Sequence, residues 1–153
     1  MPYRTDIIYR FDGTECGFYS CVFESYVLKE IPVSLIDSYD TVMQIYEERN
    51  ISSDPVKAER VKRSLMKISY GITSMIEYGF NTCLDDKYTV MYRFVRLAFI
   101  HGKRAENMIT DDTVDTLKKA IKSLTNETHL LKGFIRFSDY SGVLVSIIEP
   151  KNL

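Results

Sequence analysis

Between Tyr88 and Ile100 the chain offers almost no polar face. Met91, Tyr92, Phe94, Val95, Leu97, Ala98, Phe99 and Ile100 spread over nearly the whole circumference of a helix. A helix apolar all round belongs at the centre of a core, so the other elements have to be arranged around it. Arg93 and Arg96 interrupt the segment. A buried charge without a partner is very costly, so each is expected to be paired or aimed at a cleft. His101-Gly102 ends the helix: Gly102 suits a C′ position, and His101 and Lys103 suit the negative end of the dipole.

The residues before this helix alternate between strand and helix signals. Ile7 to Phe11 is a short apolar run that predicts a strand, closed by the turn residues Asp12-Gly13. Thr14 can cap the next helix, whose apolar face is Phe18, Cys21, Val22 and Tyr26 and which should stop before Pro32. Gly13 and Gly17 sit at a helix N-terminus, where phosphate can bind. Their Gly-x-x-x-Gly spacing is neither a dinucleotide fingerprint nor a P-loop, and a plain strand-to-helix turn explains it. Thr41 to Tyr46 predicts a second strand, through the alternation of Val42, Gln44 and Tyr46 with Met43 and Ile45. Glu47 to Ser53 reads as a polar loop. Ser53 or Asp54 then caps a helix with Pro55 in its first turn and an apolar face of Val56, Val61, Leu65 and Ile68. Gly71 to Leu84 predicts another helix.

Asp111, Asp112 and Thr113 start the last helix, with acids where the dipole favours them. Val114, Leu117, Ile121, Leu124, Thr128 and Leu131 form its buried stripe. Lys132-Gly133 closes it. Phe134 to Ser138 and Val143 to Glu149 then read as a hairpin around Asp139 to Gly142. The expected architecture is a single α+β domain over residues 1–153. A small, mainly antiparallel sheet, made of the N-terminal strand and the C-terminal hairpin, packs on four to five helices.

Several functions are made improbable by composition. No apolar run approaches the roughly 18 residues of a membrane helix, and the N-terminus lacks a signal-peptide segment, which places the chain in the cytoplasm. Cys16, Cys21 and Cys83 are odd in number and form no Cys-x-x-Cys pair. With only two histidines beside them, neither a disulfide framework nor a metal site is expected, and no cofactor is implied. A net charge of −1 and a pI near 6.1 argue against an autonomous DNA-binding protein, so nucleic-acid contact has to come from a local patch or through a partner.

Two places can supply such a patch. The helix after Pro55 carries Lys57, Arg60, Lys62, Arg63 and Lys67 on its wet face, with Glu59 and Arg63 spaced as an i,i+4 pair. This is the most basic surface in the sequence, and either a solvated face or a phosphate contact. The second is the junction Glu127 to Phe137, which gathers a carboxylate, an imidazole, an amine, a guanidinium and aromatics. There Lys132 and Arg136 can hold a phosphate, Phe134 or Phe137 can stack on a base, and Glu127 and His129 can serve as an acid/base pair. Glu127 and His129 lie about 200° apart on a helix, which argues against direct pairing between them. The competing reading is structural: His129 bonded to a loop, Glu127 paired with Arg93 or Arg96, and the aromatics in the core.

Several stretches together resemble a bacterial family known only as probable DNA metabolism proteins. They are Phe11-Asp12-Gly13-Thr14 with Gly17; Ser53-Asp54-Pro55-x-Lys57-Ala58-x-Arg60-Val61; Tyr92-x-Phe94; Glu127-x-His129-x-x-x-Gly133-Phe134-x-Arg136-Phe137; and Ile148-x-Pro150-Lys151-Asn152. The resemblance spans essentially the whole chain, and the block from Glu127 is its most specific part. It implies an accessory role in DNA repair or modification beside a partner protein of the radical S-adenosylmethionine type, with DNA as a possible second partner. Some such proteins are fused to a uracil-DNA-glycosylase-like domain. Members usually continue past the Pro-Lys-Asn segment into a further region, so the resemblance implies that this chain corresponds to their N-terminal portion. The exposed hairpin edge and the near-neutral charge suit the alternative, a module that binds only the partner enzyme.

Overall fold

The computed structural model describes residues 2–41, 45–147 and 149, with Phe134 described by its backbone alone. Strand β1 (Ile7–Phe11) is flanked on one side by β2 (Ser34–Asp37) and on the other by β3 (Glu47–Asn50), and both pairings are parallel. Tyr9 is opposite Leu35 in one register and Arg49 in the other. This corrects the expected antiparallel sheet. Helix α1 (Glu15–Val27) fills the connection from β1 to β2, and a crossover of that length returns the chain in the same direction. The central strand is buried on both faces at Ile7, Ile8 and Tyr9, as a parallel strand under helices has to be.

Strand β3 lies where a polar loop is expected. The strand expected over Thr41–Tyr46 does not form at its described ends, and Val42, Met43 and Gln44 lie outside the described residues. The sequence of β3, Glu-Glu-Arg-Asn, has no apolar residue, and ion pairs do the work of packing. Glu47 meets Arg4 at 2.8 Å, Glu48 takes a two-pronged contact from Arg10 at 2.9 and 3.1 Å, and Arg49 gives one to Glu30 at 2.9 and 3.1 Å. Glu30 is buried and also accepts the Tyr9 hydroxyl at 2.6 Å.

Helix α1 starts as its sequence predicts, with the Thr14 hydroxyl accepting from Gly17 N–H. Gly17 is required by close approach, since a Cβ there would collide with the Asp12 carboxylate. Helix α2 (Pro55–Ile68) is capped by Asp54, whose side chain accepts from the N–H groups of Val56 and Lys57. Helices α3 (Tyr70–Phe80) and α4 (Lys87–His101) follow, then a 3-10 segment over Gly102–Asn107, and α5 (Asp112–Phe134), capped by Asp111.

The expectation that Tyr88–Ile100 organises the core holds in kind. Helix α4 touches all four other helices and β2, and it buries Met91, Tyr92, Phe94, Val95 and Ala98. It is not enclosed all round, because Arg93 and Ile100 face solvent. Arg96 solves its charge problem by stacking between rings, with its guanidinium 5.2 Å from the centre of Tyr3 and 5.1 Å from that of Tyr26.

Helix α5 runs through the predicted junction to Phe134, so the strand expected from Phe134 to Ser138 is shortened to β4 (Ser138–Tyr140). The stripe on α5 is fully buried at Val114 and Leu117, partly buried at Ile121, Leu124 and Leu131 and exposed at Thr128, so the second half of the helix leaves the core. Strand β4 pairs antiparallel with β5 (Val143–Val145), apart from the three-stranded sheet. Ser141 and Gly142 both have positive φ, as a two-residue I′ turn demands. No helix among the described residues is long and apolar enough to cross a membrane.

Candidate nucleic-acid interface

The basic face of α2 is less basic than its sequence reads. Packing α1 beside α2 brings acids against it. Lys57 meets Glu24 at 2.6 Å and Asp54 at 3.7 Å, and the Glu24 hydrogen bond holds its ammonium above the ordinary lysine range. Lys62 meets Glu15 at 2.7 Å and lies 3.9 Å from Glu77. Arg63 takes the predicted i,i+4 partner, Glu59, at 2.7 Å. Exposed pairs of this kind contribute about 0–1 kcal/mol each, so they cancel charge more than they stabilise.

Arg60 differs from these neighbours. No carboxylate meets it among the described residues, and its guanidinium sits 5.8 Å from the centre of the Phe23 ring. It lines a groove of about 640 Å3 that follows α2 from Pro55 and Val56 past Glu59, Arg63 and Ser64 to Lys67. Lys67 likewise has no ion-pair partner among the described residues. The groove begins at the positive end of the α2 dipole and holds cations along its length, which suits an anion lying along it. Beside it is a recess of about 450 Å3 between α1, α2 and α4, which shares Arg60 and Ser64 with the groove.

The second candidate site is only partly assembled. His129 and Lys132 stand three residues apart on α5, hence on one face, and line a groove of about 400 Å3 with Tyr78 of α3, its C-cap Asn81, and Thr125 and Thr128 of α5. Glu127 is half-buried and does not line this groove, in keeping with its two-residue offset from His129. Arg136 and Phe137 lie beyond the helix end and are exposed. The side chain of Phe134 lies outside the described residues. The alternation that put Phe134 and Arg136 on one strand face does not apply, because Phe134 is still helical.

The surroundings also set the two grooves apart. His129 and Lys132 face the C-terminal end of α3, where Asn81 Nδ2 donates to Glu77 O at 3.2 Å and Lys87 Nζ donates to Phe80 O at 2.9 Å. Carbonyl ends of this kind attract cations and repel phosphate, which makes this groove a poorer place for a phosphate than the one along α2. Lys57 and Arg60 on one side and His129 and Lys132 on the other share no described cavity.

The aromatic wall of the recess beside Arg60 was not singled out by the sequence. Phe23 and Tyr26 come from α1 and Phe99 from α4, and Tyr26 meets Phe99 edge-on at 5.7 Å. The available signal was aromatics three apart near the end of one helix, which becomes a wall only once α2 and α4 are placed beside it.

Residues 85–153 match the family described as a domain of unknown function, DUF4130. The match covers α4, the 3-10 segment, α5 and the hairpin, including the block from Glu127 to Phe137, and falls short of half the chain. Comparison with curated proteins and with solved structures finds no match.

Proposed function

We propose that this protein is an accessory factor in DNA repair or modification, working beside a radical S-adenosylmethionine enzyme and touching nucleic-acid phosphates through the outer groove of α2. One observation carries the phosphate contact: Arg60 and Lys67 line that groove without carboxylate partners, while neighbouring cations are neutralised. A carboxylate-free guanidinium over an aromatic ring is already desolvated on one face and keeps its donors for a phosphate fork. The role in DNA repair and the radical partner rest on the resemblance of the Glu127–Phe137 block and its companion stretches. With so few free cations the contact is weak, and the partner enzyme supplies the rest of the affinity.

A second reading has its own observation. The hairpin leaves Phe137, Tyr140, Leu144 and Ile147 largely in solvent, an apolar surface of the kind that binds another protein. In that case the protein contacts only its partner. Anisotropy titration of a fluorescent single-stranded oligonucleotide at several salt concentrations separates the two. The first reading expects a shallow salt dependence whose slope falls by about 0.7 in Arg60→Ala, one phosphate contact on a single strand. No binding at low salt, with and without the radical enzyme, overturns it in favour of the second.

A further inference from the structure

The recess beside the α2 groove differs chemically from the groove itself. Three rings, Phe23, Tyr26 and Phe99, line it with Val61, and its polar groups at the border with the groove are Arg60 and Ser64. Its volume of about 450 Å3 lies within the range of small-molecule sites, about 300–1,000 Å3. Tyr26 and Phe99 meet edge-on at 5.7 Å, and Arg96 sits over the Tyr26 ring, 5.1 Å from its centre. The rings are therefore held in place before any ligand arrives, which limits the ordering cost of binding. The Ser64 hydroxyl donates to Arg60 O at 2.9 Å and keeps its lone pairs for a ligand N–H.

We infer that this recess takes one unstacked base of a single-stranded nucleic acid, while Arg60 at its rim holds the adjoining phosphate. The inference rests on the phosphate-contact reading and deepens it. Charge complementarity selects the occupant. An apolar peptide side chain would leave Arg60 without a counter-charge, whereas a nucleotide brings a flat ring for the apolar wall and an anion for the guanidinium, a few bonds apart. Because the lining is largely apolar and offers few hydrogen-bonding groups, the site accepts any base with little preference for sequence.

The test uses the intact protein and three ten-nucleotide single strands: one unmodified, one with a central 2-aminopurine, and one abasic at every position, so that no neighbouring base can take the recess. Binding is followed by anisotropy and by 2-aminopurine fluorescence. Expected are quenching of the 2-aminopurine and a dissociation constant about five- to 150-fold weaker for the abasic strand, the span of one base–aromatic stack. Phe99→Leu, which keeps apolar volume and removes a ring that Arg60 does not stack on, should weaken the unmodified strand and leave the abasic strand unchanged. If all three strands bind alike, without quenching but still dependent on Arg60, the base pocket is overturned and the phosphate groove stands. Loss of all binding at low salt overturns both. Concentration-dependent self-association that buries Phe23, with no change in 2-aminopurine, overturns the pocket in favour of a second copy of the chain.

Discussion

Arg49→Met, made alone and together with Glu30→Gln, tests what holds the polar edge strand β3. Glu30 is 5% exposed and accepts three hydrogen bonds, one from Tyr9 Oη at 2.6 Å and two from the Arg49 fork at 2.9 and 3.1 Å. Removing the guanidinium leaves a buried carboxylate with one donor. Breaking a buried ion pair from one side costs about 3–5 kcal/mol. The Arg49 side chain is 37% exposed, so water screens the pair and can reach the orphaned carboxylate, which lowers the expected loss to about 2 kcal/mol. In a protein of this length that corresponds to a fall in Tm of about 4–8 °C. In the double variant the glutamine keeps an acceptor for Tyr9 and removes the stranded charge. The two losses should therefore fall short of additive by about 1 kcal/mol or more. Urea denaturation of the four proteins at pH 7, followed by circular dichroism, closes the cycle. Amide exchange gives a local check, because Ile51 N–H donates to Arg10 O at 2.8 Å at the end of β3 and should exchange faster in Arg49→Met. An Arg49→Met protein within 0.5 kcal/mol of the parent, or a coupling near zero, would refute the reasoning and leave the backbone ladder alone as the cause of β3.

Two further predictions follow from polar groups near α1. Burial opposes the charge of Asp12, but donation from the hydroxyls of Ser53 at 2.5 Å and Thr14 at 2.6 Å and from Thr14 N–H at 3.0 Å outweighs it and holds the carboxyl below the ordinary aspartate range. A depressed folded-state pKa stabilises the fold above the unfolded value, and that contribution disappears as pH falls through the folded one. The acid loss of stability below about pH 4, measured as the urea midpoint, should thus be shallower in Asp12→Asn than in the parent. The Tyr19 hydroxyl is buried with no hydrogen-bond partner among the described residues. Tyr19→Phe should be neutral or up to about 1 kcal/mol more stable by the same denaturation assay, and a clear loss would mean that the hydroxyl finds a partner in solution.

The candidate site was legible in part. Arg60 and Lys57 stand on the helix and face that periodicity assigned them, because cap, proline and apolar stripe agree on where α2 begins and how it is turned. Which of these cations remains available was not legible, since Glu24 and Glu15 reach Lys57 and Lys62 from another helix, 33 and 47 residues away in the chain. His129 and Lys132 were brought together in a groove, whereas Glu127 and Arg136 were not. The junction reading assumed a strand from Phe134, and the helix runs through Gly133 instead, at a cost of about 1 kcal/mol relative to alanine.

Local chemistry alone determined the caps at Thr14, Asp54 and Asp111, the helices that follow them, the burial of the segment centred on Phe94, and the turn before Val143. Each is signalled by groups within a few residues of one another, so its pattern is written in the chain itself. Tertiary structure decided the parallel sheet, the strand made of Glu47 to Asn50, and the recess walled by Phe23, Tyr26 and Phe99. A polar strand becomes stable only when a ladder and counter-charges from distant residues satisfy it, and a pocket exists only between elements, so neither leaves a periodic trace in the chain that forms it.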